Sequence, residues 1–212
     1  MLHDHRLFLR QFRENFETTG SIAPSSRWLA QALARFVPGG AAPRRILEVG
    51  PGTGAVTRWI VRTLGPHDTL DLVEMNDQFV AHLRELFEND PELQRCASRV
   101  RILHLPVQEL PVDGGYDAVV SGLPLNNFSG ALVEQLLAAL VGLLAEGGTL
   151  SFFEYIAVRK VKLLISRGDE HTRLRTISEH LDQLLGPHEF RRDYVLRNLP
   201  PAWVHHVRMV QI

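Results

Sequence analysis

The segment Ile46 to Thr57, ILEVGPGTGAVT, constrains the fold of this chain more than any other. It is an apolar run that ends in an acidic residue and is followed by Gly50, Gly52 and Gly54. Glycine is needed where the backbone takes a positive φ or comes within contact distance of a ligand. The pattern is typical of the first strand of a parallel sheet that ends in a cofactor-binding turn. It predicts a Rossmann-like α/β fold.

The spacing of the glycines bears on which cofactor the turn accepts. A dinucleotide fingerprint reads G-x-G-x-x-G, so its third glycine falls where this chain has Ala55. Phosphate-binding loops carry a lysine that this turn lacks. The spacing therefore favours a nucleotide-like ligand without phosphates. It resembles motif I of the class I methyltransferases, E/D-x-G-x-G-x-G, with Glu48 as the acidic residue.

This resemblance implies S-adenosyl-L-methionine as the cofactor and S-adenosyl-L-homocysteine as its product. Glu74 ends the next strand about 20 residues after the glycines, where an acceptor for ribose hydroxyls is expected. NAD would use the same acid, so Glu74 supports the binding unit without choosing the cofactor. The third predicted strand runs into His104-Leu-Pro-Val-Gln108. At the corresponding position, many methyltransferases carry an acid or amide that contacts the edge of adenine. The full predicted cofactor set is Glu48, Gly50, Pro51, Gly52, Thr53, Gly54, Glu74, Met75, Val107, Gln108, Ser121, Gly122 and Leu123.

Strand and helix patterns alternate along most of the chain. The alternation predicts strands at 69–74, 100–105, 116–121 and 148–155, and helices at 55–64, 77–89 and 130–144. Two extended runs, 190–196 and 203–210, follow at the end. We expect a doubly wound, mostly parallel seven-stranded sheet with an antiparallel C-terminal edge hairpin and N-terminal helices. A single domain is expected over 1–212, with 1–40 as a helical cap.

The predicted fourth strand opens onto SGLPLNNF, which begins at Ser121. The segment resembles motif IV of amino methyltransferases, whose backbone carbonyls accept hydrogen bonds from the target nitrogen. Leu125 stands where base methyltransferases carry a stacking aromatic ring, so a small aliphatic amine fits better than adenine. Ser121 is therefore a predicted catalytic residue. Glu154 and Tyr155, at the end of the fifth predicted strand, are the candidates to hold an ammonium group or accept its proton.

The N-terminal region carries an amphipathic pattern over residues 5–17. Phe8, Phe12 and Phe16 recur at four-residue intervals, and three arginines flank them. Such a helix can lie in the headgroup layer of an anionic membrane, or pack on the domain. Both interpretations stay open. The predicted membrane set is Phe8, Phe12, Phe16, Arg6, Arg10 and Arg13.

Several segments together resemble the bacterial phospholipid N-methyltransferases. They are TGSIAPSS at 19–26, the glycine turn, SGLPL at 121–125 and RNLPPA at 197–202. The resemblance implies stepwise methylation of phosphatidylethanolamine toward phosphatidylcholine, and docking by an amphipathic N-terminal helix. Ser21, Ser25 and Ser26 would close over the cofactor or meet the headgroup, and a serine here could also cap the helix that starts at Arg27. The predicted substrate residues are Ser21, Ser25, Ser26, Pro124, Leu125, Arg159 and Arg197.

Composition excludes several classes of protein. The formal net charge of −1 argues against a general nucleic-acid binder, and Cys96, the single cysteine, excludes an internal disulfide. No apolar run reaches the length of a membrane span, and no signal peptide is evident, so we expect a cytoplasmic protein. The resemblance implies that it associates peripherally with the inner leaflet of the cell membrane. No metal is implied, because His205 and His206 should face opposite sides of a strand. An RNA adenine or small-amine methyltransferase and a non-catalytic NAD-binding protein remain alternatives.

Overall fold

A seven-stranded sheet runs through the computed structural model, which describes residues 25–37, 42–111, 113, 115–125, 128, 130–156 and 186–208. The spatial order is β3-β2-β1-β4-β5-β7-β6. Strands β1 to β5 are parallel, and β7 is antiparallel to both β5 and β6. This confirms the predicted fold. The strands are β1 Arg45–Val49, β2 Thr69–Glu74, β3 Val100–His104, β4 Tyr116–Ser121, β5 Leu144–Tyr155, β6 Glu189–Val195 and β7 Ala202–Arg208.

Helices cover both faces of the sheet and begin at recognisable caps. The Ser26 hydroxyl caps the first helix by accepting from the Leu29 amide, and the Asn76 side chain caps the third in the same way. The helices are α1 Arg27–Leu33, α2 Thr57–Thr63, α3 Asp77–Asn89, α4 Pro91–Gln94 and α5 Gly130–Gly142. Short 3-10 turns cover Ala34–Phe36, Ala97–Arg99 and Val107–Glu109.

Several boundaries differ from the sequence prediction. Strand β5 starts at Leu144 instead of residue 148, because Leu144 already pairs with Tyr116 of β4. The preceding helix therefore ends at Gly142. Helix α2 starts at Thr57, two residues later than predicted, because the glycine turn extends through residue 56.

The core lies in two layers, one on each face of the sheet. Alternate residues along each strand point to opposite faces. On β1, Leu47 joins the buried cluster under α5, and Ile46 joins the cluster under α1 to α3. The carboxyl ends of the five parallel strands meet at one edge, which we call the carboxyl edge. The turn between β6 and β7, residues 196–201, lies at this edge too, since Ala202 pairs with Tyr155.

Several predicted residues lie outside the described part of the chain. They include the six predicted membrane residues of the N-terminal segment, together with Ser21 and Arg159. The helical cap over 1–40 stays a prediction. In the part of the chain that the structure describes, no helix is long and apolar enough to cross a membrane.

Candidate active site

The glycine turn after β1 has the backbone geometry that requires glycine. Gly50, Gly52 and Gly54 have φ angles of +70°, +53° and +77°. A Cβ on Gly50 would lie 2.7 Å from a methyl of Leu123, and one on Gly122 would lie 2.6 Å from the Gly50 carbonyl oxygen. The turns after β1 and β4 therefore pack backbone against backbone. Side chains at these positions would force them apart.

The Glu74 carboxylate joins the end of β2 to the glycine turn. One oxygen accepts from the amides of Met75 and Asn76, at 2.8 and 2.9 Å, and the other from the Gly52 amide at 3.1 Å. Burial raises the pKa of this carboxyl, and the backbone amides oppose the rise. Glu74 thus lies at the turn, as its sequence distance predicts.

Glu48 is fully buried beneath the same turn. Neither of its carboxylate oxygens has a hydrogen-bond partner among the described residues, nor does the buried hydroxyl of Thr57 at the start of α2. Burial raises the pKa of Glu48 from 4.5 to about 8, and nearby Glu74 adds to the rise. The Thr57 hydroxyl lies near enough to oppose it, although not in hydrogen-bonding geometry.

A narrow cleft opens beside the turn. Both polar atoms of the Gln108 amide are buried in it, and neither has a hydrogen-bond partner in the part of the chain that the structure describes. A buried amide without partners is costly, so it is a natural contact for the edge of a purine base. The cleft is lined by Val49, Gly50, Val73, Glu74, Met75, Leu105, Val107, Gln108, Leu123 and Leu136.

Ser121 and Glu154 face the same side of the sheet at the carboxyl edge. Ser121 lies two residues after Val119, and Glu154 two residues after Phe152; both apolar residues belong to the cluster under α5. Ser121 pairs with Phe152 in the β4–β5 register. Both polar side chains are buried. The structure therefore brings together two of the three predicted catalytic residues.

His205 extends this group, and sequence reasoning missed it. Its Nε2 lies 3.6 Å from a Glu154 oxygen, and its Nδ1 lies 2.7 Å from a Glu189 oxygen. The ring stacks on Phe152 with centroids 5.1 Å apart. The alternation of residues along β7 could have predicted which face of the sheet His205 lies on. It could not have predicted its partners, because Glu154 and Glu189 belong to two other strands.

His206 faces the other side of the sheet, as predicted. Its Nδ1 lies 2.8 Å from the Ser151 hydroxyl, and Nε2 lies 3.4 Å from Asp193. Burial lowers the pKa of His206 to about 4, so the ring is neutral near neutral pH. Within the described ranges, no cluster of three or more potential metal ligands occurs.

The remaining predicted residues occupy varied positions. Tyr155 is half-buried, and burial raises its pKa. Leu125 is fully buried in the core, so contact with a substrate would require its turn to move. Ser26 caps α1, which leaves its hydroxyl engaged with the backbone. Arg197 stacks on Trp28 at the surface. Pro51 and Thr53 lie within the glycine turn, Ser25 precedes the cap, and Pro124 is buried beside Leu123.

Comparisons with known proteins agree with this geometry. A family model for a methyltransferase domain matches residues 46–148. The ornithine lipid N-methyltransferase of Singulisphaera acidiphila is 33% identical over 148 residues, covering 70% of this chain and 76% of that protein. The chain belongs to the class I S-adenosylmethionine-dependent methyltransferases. Within that class, this methyltransferase resembles the bacterial lipid N-methyltransferases.

Two further relatives mark how far the similarity extends. The methyltransferase is 36% identical over 98 residues to ribosomal RNA small subunit methyltransferase A of Parasynechococcus marenigrum, which covers 45% of this chain and 30% of that protein. An O-methyltransferase from Bacillus cereus, solved with S-adenosylhomocysteine, superposes with a TM-score of 0.63 at 13% identity. It covers 95% of this chain and 90% of that one. That likeness concerns the fold.

Proposed function

We propose that this methyltransferase N-methylates a lipid amine, with the ethanolamine headgroup of phosphatidylethanolamine as acceptor and phosphatidylcholine as the final product. The observation that carries the proposal is the 33% identity with a lipid N-methyltransferase across most of both chains. That relative is named for ornithine lipid, whose amine is a second candidate acceptor. Both acceptors present an aliphatic amine at a lipid surface.

The residues around the glycine turn fit S-adenosylmethionine, which supplies an electrophilic methyl group when bound. The Gln108 amide would contact the adenine edge, and Glu74 would accept from ribose hydroxyls. Glu48 would lie near the positively charged part of the ligand, because a cation compensates a buried carboxylate. The buried polar atoms of Glu48 and Gln108 have no hydrogen-bond partner among the described residues, and the Glu74 carboxylate already accepts from three backbone amides.

The acceptor amine requires a group that takes its proton, since an ammonium has no lone pair for the attack. Glu154 is the carboxylate that we assign to this role. His205, between Glu154 and Glu189, would orient Glu154 and share the proton. Backbone carbonyls after Ser121 would align the nitrogen, and alignment supplies a large part of the rate.

The alternative to a lipid amine is adenine in RNA as the methyl acceptor. The residue at the position of the stacking ring is Leu125, which is aliphatic and buried. The ribosomal RNA methyltransferase matches less than half of this chain. We therefore expect no activity on RNA without lipid.

Lipid vesicles with labelled cofactor test the proposal. Incubation with vesicles containing phosphatidylethanolamine, and separately ornithine lipid, should yield N-methylated lipids when products are resolved by mass. Labelling of RNA but neither lipid would refute the lipid assignment. Labelling of ornithine lipid alone would keep the lipid amine and reject phosphatidylethanolamine.

The role of Glu154 has a matched control in the same strand. Glu154→Gln should lower kcat by about 100-fold, which is typical of losing a general base, and leave the affinity for S-adenosylhomocysteine unchanged. Glu146→Gln, at the exposed opposite end of β5, should leave kcat unchanged. Equal kcat values for the two variants would remove Glu154 from the mechanism.

We also propose that residues 1–212 form one methyltransferase domain acting at the cytoplasmic face of the membrane. The phenylalanine pattern of residues 5–17 supports membrane contact. Replacing Phe8, Phe12 and Phe16 by Ser should reduce activity on vesicles. If activity on vesicles is retained, these residues do not bind the membrane.

A further inference from the structure

The turn between β6 and β7 exposes two large aliphatic side chains. Leu196 and Leu199 are 70% and 88% exposed, and Tyr194 beside them is also largely exposed. Scattered single exposed leucines are ordinary, but two in one turn form a small apolar protrusion. The turn is held firmly, because the Asn198 side chain accepts from the Ser26 amide and donates to the Pro200 carbonyl.

Two arginines stack on one aromatic ring beside this protrusion. Arg27 and Arg197 both stack on the ring of Trp28, with guanidinium carbons 4.5 and 4.9 Å from its centroid. Neither forms an ion pair with any carboxylate in the described ranges. Stacking on an aromatic ring fixes a guanidinium while leaving N–H groups for an anionic partner.

The groove beside the turn continues the positive surface. It is lined by Arg35, Arg191, Arg192 and Arg197, and Asp193 is the carboxylate among its lining residues. Asp193 pairs with both Arg35 and Arg191, and Arg192 pairs with Glu189, so two carboxylates balance three of the four arginines. The whole chain carries a net charge of only −1. The positive charge here is therefore local, as at an anion-binding surface.

We propose that this surface, comprising Leu196, Leu199, Arg27 and Arg197, docks the methyltransferase on an anionic phospholipid bilayer. The arginines would contact lipid phosphates, and the two leucines would enter the boundary between headgroups and acyl chains. A nucleic acid fits less well, because the two most exposed side chains of the turn are leucines, which offer no ring on which a base could stack. The proposal rests on the proposed function, since it names the surface that brings the site to a lipid amine.

The position of the turn suits this role. It lies at the carboxyl edge, and the Ile156 amide just after β5 donates to the Pro201 carbonyl. Glu154 and the turn are therefore at the same edge of the sheet. Docking through the turn would face the candidate active site toward the headgroups.

Vesicle sedimentation of the full chain tests the surface. Replacing both leucines by Ser should weaken binding to phosphatidylglycerol-containing vesicles about tenfold. Arg27→Glu should also weaken binding about tenfold to these vesicles, and not to neutral phosphatidylcholine vesicles. Matched controls are Phe190→Ser, which is 42% exposed at the opposite edge of the sheet, and Arg84→Glu on the exposed face of α3.

The outcomes separate this inference from the proposed function. Methylation of a soluble short-chain amino lipid should be unchanged in the double leucine variant. Equal vesicle binding by the wild type, the double leucine variant and Arg27→Glu would overturn the docking surface even if the enzyme methylates lipids. Tighter binding to structured RNA than to vesicles, weakened by Arg27→Glu alone, would also overturn it. Absence of any lipid methylation would reject the function, and the vesicle comparison would still decide the surface.

Discussion

Replacing Glu48 by Gln changes a single buried carboxyl beneath the glycine turn. The pKa of Glu48 is raised from 4.5 to about 8, and burial is the main cause. Gln has nearly the shape of a protonated Glu and does not titrate. The substitution therefore removes the cost of burying an ionisable group without opening a cavity.

The sign and size of the stability change follow from the difference between the pKa of Glu48 in the folded and in the unfolded state. Below a pH of about 4.5 the carboxyl is protonated in both folded and unfolded states, so its contribution to stability is fully present. As the pH rises, the unfolded state ionises first, and the wild type loses about 1.4 kcal/mol per pH unit until about pH 8. The total loss is about 5 kcal/mol, a large part of the stability of an ordinary domain.

Urea unfolding, followed by tryptophan fluorescence, measures this difference. Relative to the wild type, Glu48→Gln should gain about 4 kcal/mol between about pH 5 and about pH 8, with unchanged dependence on urea concentration. Glu85→Gln on the exposed face of α3 should show no such gain. Parallel stability profiles for wild type and Glu48→Gln would refute the reasoning, because they would mean that Glu48 titrates normally in the folded protein.

Three further substitutions test the site and its scaffold. Gly50→Ala places a Cβ on a residue with positive φ, 2.7 Å from a methyl of Leu123. It should reduce the affinity for S-adenosylhomocysteine, measured by calorimetry, at least about tenfold. Gly142→Ala, which has open space around the new Cβ, should leave this affinity unchanged. Gln108→Leu should keep or raise thermal stability, because it removes two buried polar atoms that have no partner among the described residues. It should also weaken the affinity for S-adenosylhomocysteine about tenfold. Unaltered affinity would contradict the proposed contact of Gln108 with adenine. Tyr116→Phe loses a 2.7 Å hydrogen bond to Asp71 and should lower the free energy of unfolding in urea by about 1 to 2 kcal/mol, with kcat retained. A loss of kcat would mean that this hydrogen bond in the scaffold also affects the active site.

The fold was largely predictable because its signals are local. Alternating apolar residues, helix caps and glycines with positive φ act within a few residues of the chain. Helix α3 begins and ends where its pattern predicts, and Glu74 reaches the turn as its spacing requires. The start of β5 was predicted late because pairing with Tyr116, far away in sequence, overrides the local glycine signal.

The candidate site was predictable only in part. Motif I and the spacing to Glu74 named the cofactor turn, since ligand chemistry demands glycines and an acid at fixed distances. The pairing of Glu154 with His205 was not predictable, because these residues meet only when β7 aligns antiparallel to β5. The raised pKa of Glu48 likewise depends on the layers that bury it.

Sequence alone therefore established the class of fold, the glycine turn and the acidic partner of that turn. Tertiary structure decided which charged groups lie in water and which lie in the core. It also decided where the β6–β7 turn lies, because the reversal of β7 brings Leu199 to the edge that holds Glu154. The reason is physical: backbone conformation is set by neighbouring residues, whereas burial and proximity are set by contacts between distant parts of the chain.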